Sequence, residues 1–374
     1  MYFLFIRIAS IFMNILYFFI KLFPTQNKVT FISRQGNKNS LDFSLVQEKL
    51  KKMDKNVKIV ALNKRFRDID PMMDKIKYCF HILVQMYHIA TSKVVVLETY
   101  CLPISMLKHK KSLKVIQMWH ALGSLKKFGY SSVDKKEGSN LSGIAKMHRN
   151  YDCILTSSEV SLKNFAEAFG YEEKYLKVIP LPRVDYLMDK ENEKRITKKI
   201  KKEYKVLNDK KNIVYAPTFR KNKDDIKKIE ELVNSIDYSK YNLILKLHPL
   251  TKVELDDSKA ILDTKFPTID WLFVADYVIT DYSAIVYEAS LLKKSLFFYV
   301  YDFKEYENGR DFYLDYKKEM PGFISGKASD IIKAIEEEKQ DQKKIDTFNK
   351  KYIYYHNQDC TLEFVKLILE MKEA

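Results

Sequence analysis

Residues 277–292 read YVITDYSAIVYEASLL. Four apolar or β-branched residues come first, then the polar turn Asp281-Tyr282-Ser283, then a helix-like run from Ile285 to Leu292. A strand that stays apolar without alternation is one buried on both faces, as in a parallel sheet covered by helices. The stretch therefore predicts one strand–turn–helix step of an α/β fold, and the step recurs on either side. Strands are predicted over 213–216, 242–247, 277–280 and 296–300, each followed by a helical or loop segment.

An earlier set carries the same signature over 29–33, 57–62, 94–97, 114–119, 153–156 and 176–179. Helices are expected over 43–53, with Ser40 and Asp42 available as caps, and over 72–91. Between the sets lies ENEKRITKKIKKEYKVLNDKK, read as a solvated helix near a domain junction. Two successive β/α halves argue for an α/β protein of two Rossmann-like domains facing a cleft, over 25–188 and 189–374. The last helix is a candidate to pack back on the first domain. A length of 374 residues suits two domains better than one core.

Hydrophobic residues make up 46% and charged residues 30%, which excludes general disorder. The net charge of +16 favours a polyanionic partner: nucleic acid, anionic lipid or a phosphate-rich substrate. Tyr and Phe sit in apolar runs and are not interleaved with basic residues, which speaks against a nucleic-acid groove. Cys79, Cys101, Cys153 and Cys360 form no CxxC pair, so zinc and a disulfide framework are not expected and a reducing cytosol is.

Residues 1–24 are strongly apolar, and three readings compete. A cleaved signal peptide lacks its cleavage site, and a spanning helix is interrupted by Arg7, Asn14 and Lys21. The third reading uses spacing. Arg7, Ser10, Asn14, Tyr17 and Lys21 fall within an arc of roughly 80° on a helix. Such a helix lies in a bilayer interface with its narrow polar stripe toward water, and this in-plane anchor is preferred over a core or dimer helix. The catalytic part is then expected on the cytoplasmic side, peripheral to the membrane.

Chemistry is sought at the carboxyl ends of the strands, where ligands gather in such sheets. The run VIQMWHALG, 115–123, places His120 there as a candidate general base, with a structural histidine as the alternative. The following LKKFG adds positive charge able to meet phosphate. YAPTFR, 215–220, offers Thr218 and Arg220 to phosphate oxygens, or is simply a turn with a surface arginine. LKLHP, 245–249, places a second histidine, His248, at a strand edge. Thr280, Asp281 and Ser283 supply hydroxyls and a cap at a helix N-terminus, a setting that favours anionic phosphate. Glu288 lies further along that helix, where its carboxylate can hold ribose hydroxyls; a routine cap and an exposed glutamate are the plain alternative. Neither GxGxxG nor a P-loop occurs, and no acidic metal cluster is evident, so no metal is required.

Taken together, QMWHALGSLKKFG, YAPTFR, LKLHP, TDYSAIVYEASLL and FFYVYDFKEYENGRDFYLDY resemble the CDP-glycerol glycerophosphotransferase family of Gram-positive bacteria, over 117–316. The resemblance implies a GT-B arrangement, with acceptor handled mainly by the first domain and CDP-glycerol by the second. It implies His120 as base and His248 as a phosphate or leaving-group contact. Thr218, Arg220, Ser283 and Glu288 would serve the nucleotide, and Asp302, Tyr306 and Arg310 the donor. WHALG and the short length are closer to the priming enzymes than to many polymerases. The implied reaction moves glycerol phosphate from CDP-glycerol to an undecaprenyl-diphosphate-linked saccharide in wall teichoic acid synthesis and releases CMP, with no cofactor beyond the donor. Arg7 and Lys21 would face an anionic membrane surface. The alternatives are a chain-extending polymerase or a CDP-ribitol enzyme on the same fold, and a basic membrane-binding protein without catalysis.

Overall fold

The computed structural model describes residues 2–66, 70–133, 147–219, 223–247, 251, 259–355 and 359–374. They fall into two units. One comprises Met1–Ala121, Lys127–Asp185 and Tyr354–Ala374; the other comprises Leu122–Lys126 and Tyr186–Ile353.

The first unit is built on six parallel strands: β1 (Lys28–Ser33), β2 (Lys58–Asn63), β3 (Val94–Leu97), β4 (Lys114–Gln117), β5 (Cys153–Thr156) and β6 (Leu176–Val178). Their order is β2-β1-β3-β4-β5-β6. The second unit carries β7 (Lys211–Tyr215), β8 (Tyr241–Leu245), β9 (Ile261–Leu262), β10 (Tyr277–Thr280), β11 (Ser295–Tyr299) and β12 (Phe323–Ser325). These are parallel too, in the order β12-β11-β10-β7-β8-β9. Both are doubly wound orders with a reversal point, between β1 and β3 in one sheet and between β7 and β10 in the other.

Central strands β3, β5, β8 and β10 are buried at every residue, as apolar runs without alternation demand. The strand expected over 114–119 stops at Gln117 because Trp119 takes a left-handed φ of 60° and its N–H turns back to Gln117 Oε1, 3.0 Å away. β9 and β12, two and three residues long, were too short to show a period. Helix Lys190–Glu203, capped by Asp189, buries Asn192, Ile196 and Ile200 and leaves its lysine-rich remainder to solvent.

The helices α1 (Tyr2–Ile20), α2 (Leu41–Met53) and α3 (Met72–Ala90) belong to the first unit. α2 is capped by Ser40, whose hydroxyl accepts Phe43 N–H at 3.2 Å. The orientation of α1 corrects the expectation of a polar stripe toward water. Asn14 donates to Met106 O at 3.1 Å and accepts Lys108 N–H at 3.0 Å, Tyr17 OH meets His109 Nδ1 at 3.0 Å, and Lys21 Nζ donates to Lys108 O at 2.8 Å. The stripe faces the protein because unpaired backbone groups of that loop need partners. Tyr17 is buried in the core with Met86, Ile89, Ile104 and Leu107. Phe12, Ile15, Phe18 and Phe19 point outward and are more than half exposed. Among the described residues no helix is long and apolar enough to cross a membrane.

Candidate functional site

In the first unit, the strand order reverses between β1 and β3, and polar groups gather just beyond their carboxyl ends. Ser33 ends β1 and Glu98 directly follows β3. The Ser33 and Ser40 hydroxyls donate to the buried Glu98 carboxylate, the second at 2.6 Å. Burial raises the Glu98 carboxyl above the usual range against these two hydrogen bonds. The Glu98 carbonyl lies 3.0 Å from His120 Nδ1. A carbonyl can only accept, so this contact places the proton on Nδ1 and leaves Nε2 as the acceptor.

Burial depresses the His120 pKa to about 4, against the raising effect of the Glu98 carbonyl, with the Arg183 charge lowering it further. The ring is therefore neutral at physiological pH. Trp119 lies against it at 4.3 Å between centroids and stacks on Phe128 at 5.0 Å. Beside them Arg183 holds the buried Asp42 carboxylate, N–H to Oδ1 at 2.8 Å and Nε to Oδ2 at 2.9 Å. Asp42 was expected to be available as a cap of α2; its oxygens are taken by Arg183 instead. A long-range ion pair leaves no periodic trace, so Arg183 was not found from the sequence.

His148 was also missed. It is buried among Trp119, Phe169 and Tyr151, with Nδ1 3.1 Å from Tyr151 OH, and burial lowers its pKa to about 4. Its environment is that of a structural histidine.

In the second unit the reversal lies between β7 and β10, and Thr218 and Asp281 flank it. Thr218 N–H and Oγ1 both donate to Asp281 Oδ1 at 2.8 Å. Thr280, fully buried, donates its hydroxyl to Ala216 O at 2.8 Å. The expected cap is corrected here. Helix Ile285–Leu291 begins after Ala284 with no side-chain cap, and Ser283 Oγ accepts Ile285 N–H at a long 3.4 Å. Thr280 and Asp281 are instead spent on holding the turn after β7. Glu288 is buried on this helix, not exposed.

An aromatic wall stands beside the turn. Tyr282 stacks on Tyr306 at 3.9 Å and donates to Asp302 Oδ1 at 3.1 Å, while Tyr316 OH reaches Asp281 O at 2.7 Å. Helix Phe303–Arg310 presents Tyr306 and ends at the half-buried Arg310. Segment Leu122–Lys126 lines the same unit. Lys126 Nζ donates to Tyr306 OH at 3.1 Å, and Tyr313 N–H donates to Leu125 O at 3.1 Å. Gly123 lies under the Tyr287 ring; a Cβ there would stand 2.3 Å from a ring carbon. That contact explains the glycine of the HALG string.

Lys246, in the LKLHP string, is structural. Its ammonium donates to Asp263 Oδ2 at 2.7 Å and to the carbonyls of Asp263 and Phe266. Trp271 Nε1 and Tyr204 OH, each at 2.7 Å, complete the Asp263 carboxylate. Burial alone would raise that carboxyl, yet these hydrogen bonds outweigh it and hold Asp263 well below the usual range.

The structure thus joins Thr218 to Asp281, and Asp302 to Tyr306 through Tyr282. His248 and Arg220, and the side chain of Arg7, lie outside the described residues.

A family profile described as CDP-Glycerol:Poly(glycerophosphate) glycerophosphotransferase matches residues 15–370. The chain is 34% identical over 351 residues to a teichoic acid ribitol-phosphate primase of Bacillus spizizenii, covering 90% of this chain and 89% of that one. It is 32% identical over 286 residues to a teichoic acid glycerol-phosphate primase of Bacillus subtilis, covering 74% and 73%. The solved wall teichoic acid polymerase TagF shares the fold, with a TM-score of 0.74 at 20% identity over 93% of this chain and 90% of that chain.

Proposed function

The chain belongs to the CDP-glycerol:poly(glycerophosphate) glycerophosphotransferase family of teichoic acid enzymes, and from that premise we propose that it is a priming transferase. In this reading it moves glycerol phosphate from CDP-glycerol to a hydroxyl of an undecaprenyl-diphosphate-linked saccharide, at the cytoplasmic face of the membrane. Coverage supports priming: the match spans 89% of the ribitol-phosphate primase but 54% of the poly(ribitol-phosphate) polymerase from the same organism.

The observation that carries the chemistry is His120, neutral and fixed by the Glu98 carbonyl with Nε2 left as acceptor. Nε2 takes the proton of the acceptor hydroxyl as its oxygen attacks the glycerol-bearing phosphorus of CDP-glycerol. The new P–O bond forms as the bond to the CMP phosphate breaks, and CMP leaves with the electron pair. Thr218, held by Asp281, together with Arg220, Ser283 and His248, meets the diphosphate. Glu288 serves the ribose, and Asp302, Tyr306 and Arg310 border the glycerol end. Phosphoryl transfer depends mainly on positioning and charge stabilisation, which such a set supplies.

A second donor, CDP-ribitol, is favoured by the ribitol-phosphate primase relative. Incubation with a defined lipid-linked disaccharide and each donor, read by CMP release and product mass, decides between them. A single added polyol phosphate, lost in His120→Ala, is expected. No transfer from either donor, or unchanged turnover in His120→Ala, would overturn the reading. The outward apolar face of α1, with Lys21 at its end, supports placement against the membrane surface that holds the acceptor.

A further inference from the structure

α1 is not alone in turning an apolar face outward. Along α3, Met73, Ile76, Phe80, Leu83, Val84 and Tyr87 are all exposed, at the three- and four-residue steps of one helical stripe. The two helices pack together, with Phe23, just past α1, set edge-on to Tyr87 at 5.5 Å. Isolated exposed apolar residues need no explanation, but two adjoining helices that share an outward apolar face mark an interaction surface.

A groove of about 610 Å³ runs along α1, walled by Ile11, Ile15, Phe18, Phe19 and Met106 and bordered by Lys108. Lys108 lines the groove, and the Lys21 and Lys110 ammonium groups lie just past the end of α1, close enough for the Lys21 charge to act on Lys110. Lys21 Nζ sits on the Lys108 carbonyl, and Lys110 Nζ on the Phe23 carbonyl at 2.6 Å. Burial, with the Lys21 charge added, lowers the Lys110 pKa. Among the described residues no carboxylate pairs with any of the three. The neighbouring sequence supplies none either: no Asp or Glu occurs from residue 1 to 41 or from 99 to 133.

We propose that this groove and its lysines form a site for one anionic phospholipid of the bilayer, one acyl chain lying along α1 and the phosphate against Lys21, Lys108 and Lys110. The inference rests on the membrane placement of α1 and not on the transfer chemistry. Charge complementarity selects the occupant. An apolar groove alone accepts any chain, but uncompensated cations at its end are neutralised only by a negatively charged headgroup. A soluble phosphate would leave the apolar walls exposed, and a neutral lipid would leave the cations without a counter-charge.

The test is co-sedimentation of the full chain with phosphatidylcholine vesicles, alone and with about one-third phosphatidylglycerol. Phosphatidylglycerol is expected to tighten binding by about fivefold per engaged lysine, ~100-fold in all. Changing Lys21, Lys108 and Lys110 together to Gln should reduce that preference to below about fivefold while binding to phosphatidylcholine persists. Lys21 and Lys110 also hold carbonyls, so Lys108→Gln serves as the variant that leaves the α1 contacts intact; it should lose about fivefold. Equal binding to both vesicles, or a preference unchanged in both variants, would overturn the lipid site. Failure to bind either vesicle would instead strike at the membrane placement itself.

Discussion

His120 Nδ1 lies 3.0 Å from the carbonyl oxygen of Glu98, the residue that immediately follows β3. One backbone contact thereby sets both the tautomer and the direction of the ring. With a pKa of about 4, the imidazole stays unprotonated through the physiological range. The acid limb of kcat/KM for CMP release is accordingly expected near pH 4 to 5. A limb near 6.5, where an ordinary histidine titrates, would show that the base is a different or more exposed group.

The same burial has a stability consequence. His88, His120 and His148 all have folded pKa values of about 4, below the ordinary 6.5. The unfolded chain binds more protons between these values, so stability is full above pH 6.5 and falls as pH drops toward 4. Urea midpoints measured from pH 7 to 4.5 should decline, and less steeply in His148→Gln. A flat profile would mean that these rings reach water.

Lys246 and Asp263 form a buried pair, 7% and 0% exposed. Lys246→Met leaves a buried carboxylate without its cation, and a loss of about 3–5 kcal/mol is expected from chemical denaturation. Adding Asp263→Asn should recover part of it. Because Asp263 is depressed, its contribution holds above the ordinary carboxylate pKa and disappears only at strongly acid pH.

Gly123→Ala places a methyl group against the Tyr287 ring. A cost of about 1–3 kcal/mol is expected, relieved by Tyr287→Leu and not by Tyr287→Phe, because the clashing ring carbons remain in phenylalanine. Equal rescue by both would point to the hydroxyl instead.

Removing residues 1–23 would also remove Tyr17 from the core, so substitution probes α1 more cleanly than deletion. Phe12→Ser with Phe18→Ser, both more than half exposed, should weaken vesicle binding about tenfold or more while thermal stability holds. Unchanged vesicle binding would remove α1 from the membrane surface.

Much of the fold was legible because apolar strands buried on both faces announce themselves: β3, β5 and β10 lie where the runs of Val, Ile and Leu predicted them. Thr218, Asp281 and His120 were legible for a related reason, each following such a run. What escaped depended on contacts distant in sequence. Asp42 meets Arg183, 141 residues away, and Tyr186 meets Asp270, 84 residues away. No local pattern encodes such pairs. The orientation of α1 escaped as well, since a polar stripe reads the same whether it faces solvent or a loop whose carbonyls it satisfies.

Helix Cys360–Glu373 belongs to the same unit as β1. It is tied to α2 and its flank by Lys49–Asp359 and Lys372–Asp54, and its first N–H groups cap on Asp185. A ribosome therefore delivers this keystone of the first unit only after the whole Tyr186–Ile353 stretch of the second. The first unit waits, incomplete, while the second is synthesised, so a fragment cut after residue 185 is an unfinished domain and not a minimal one.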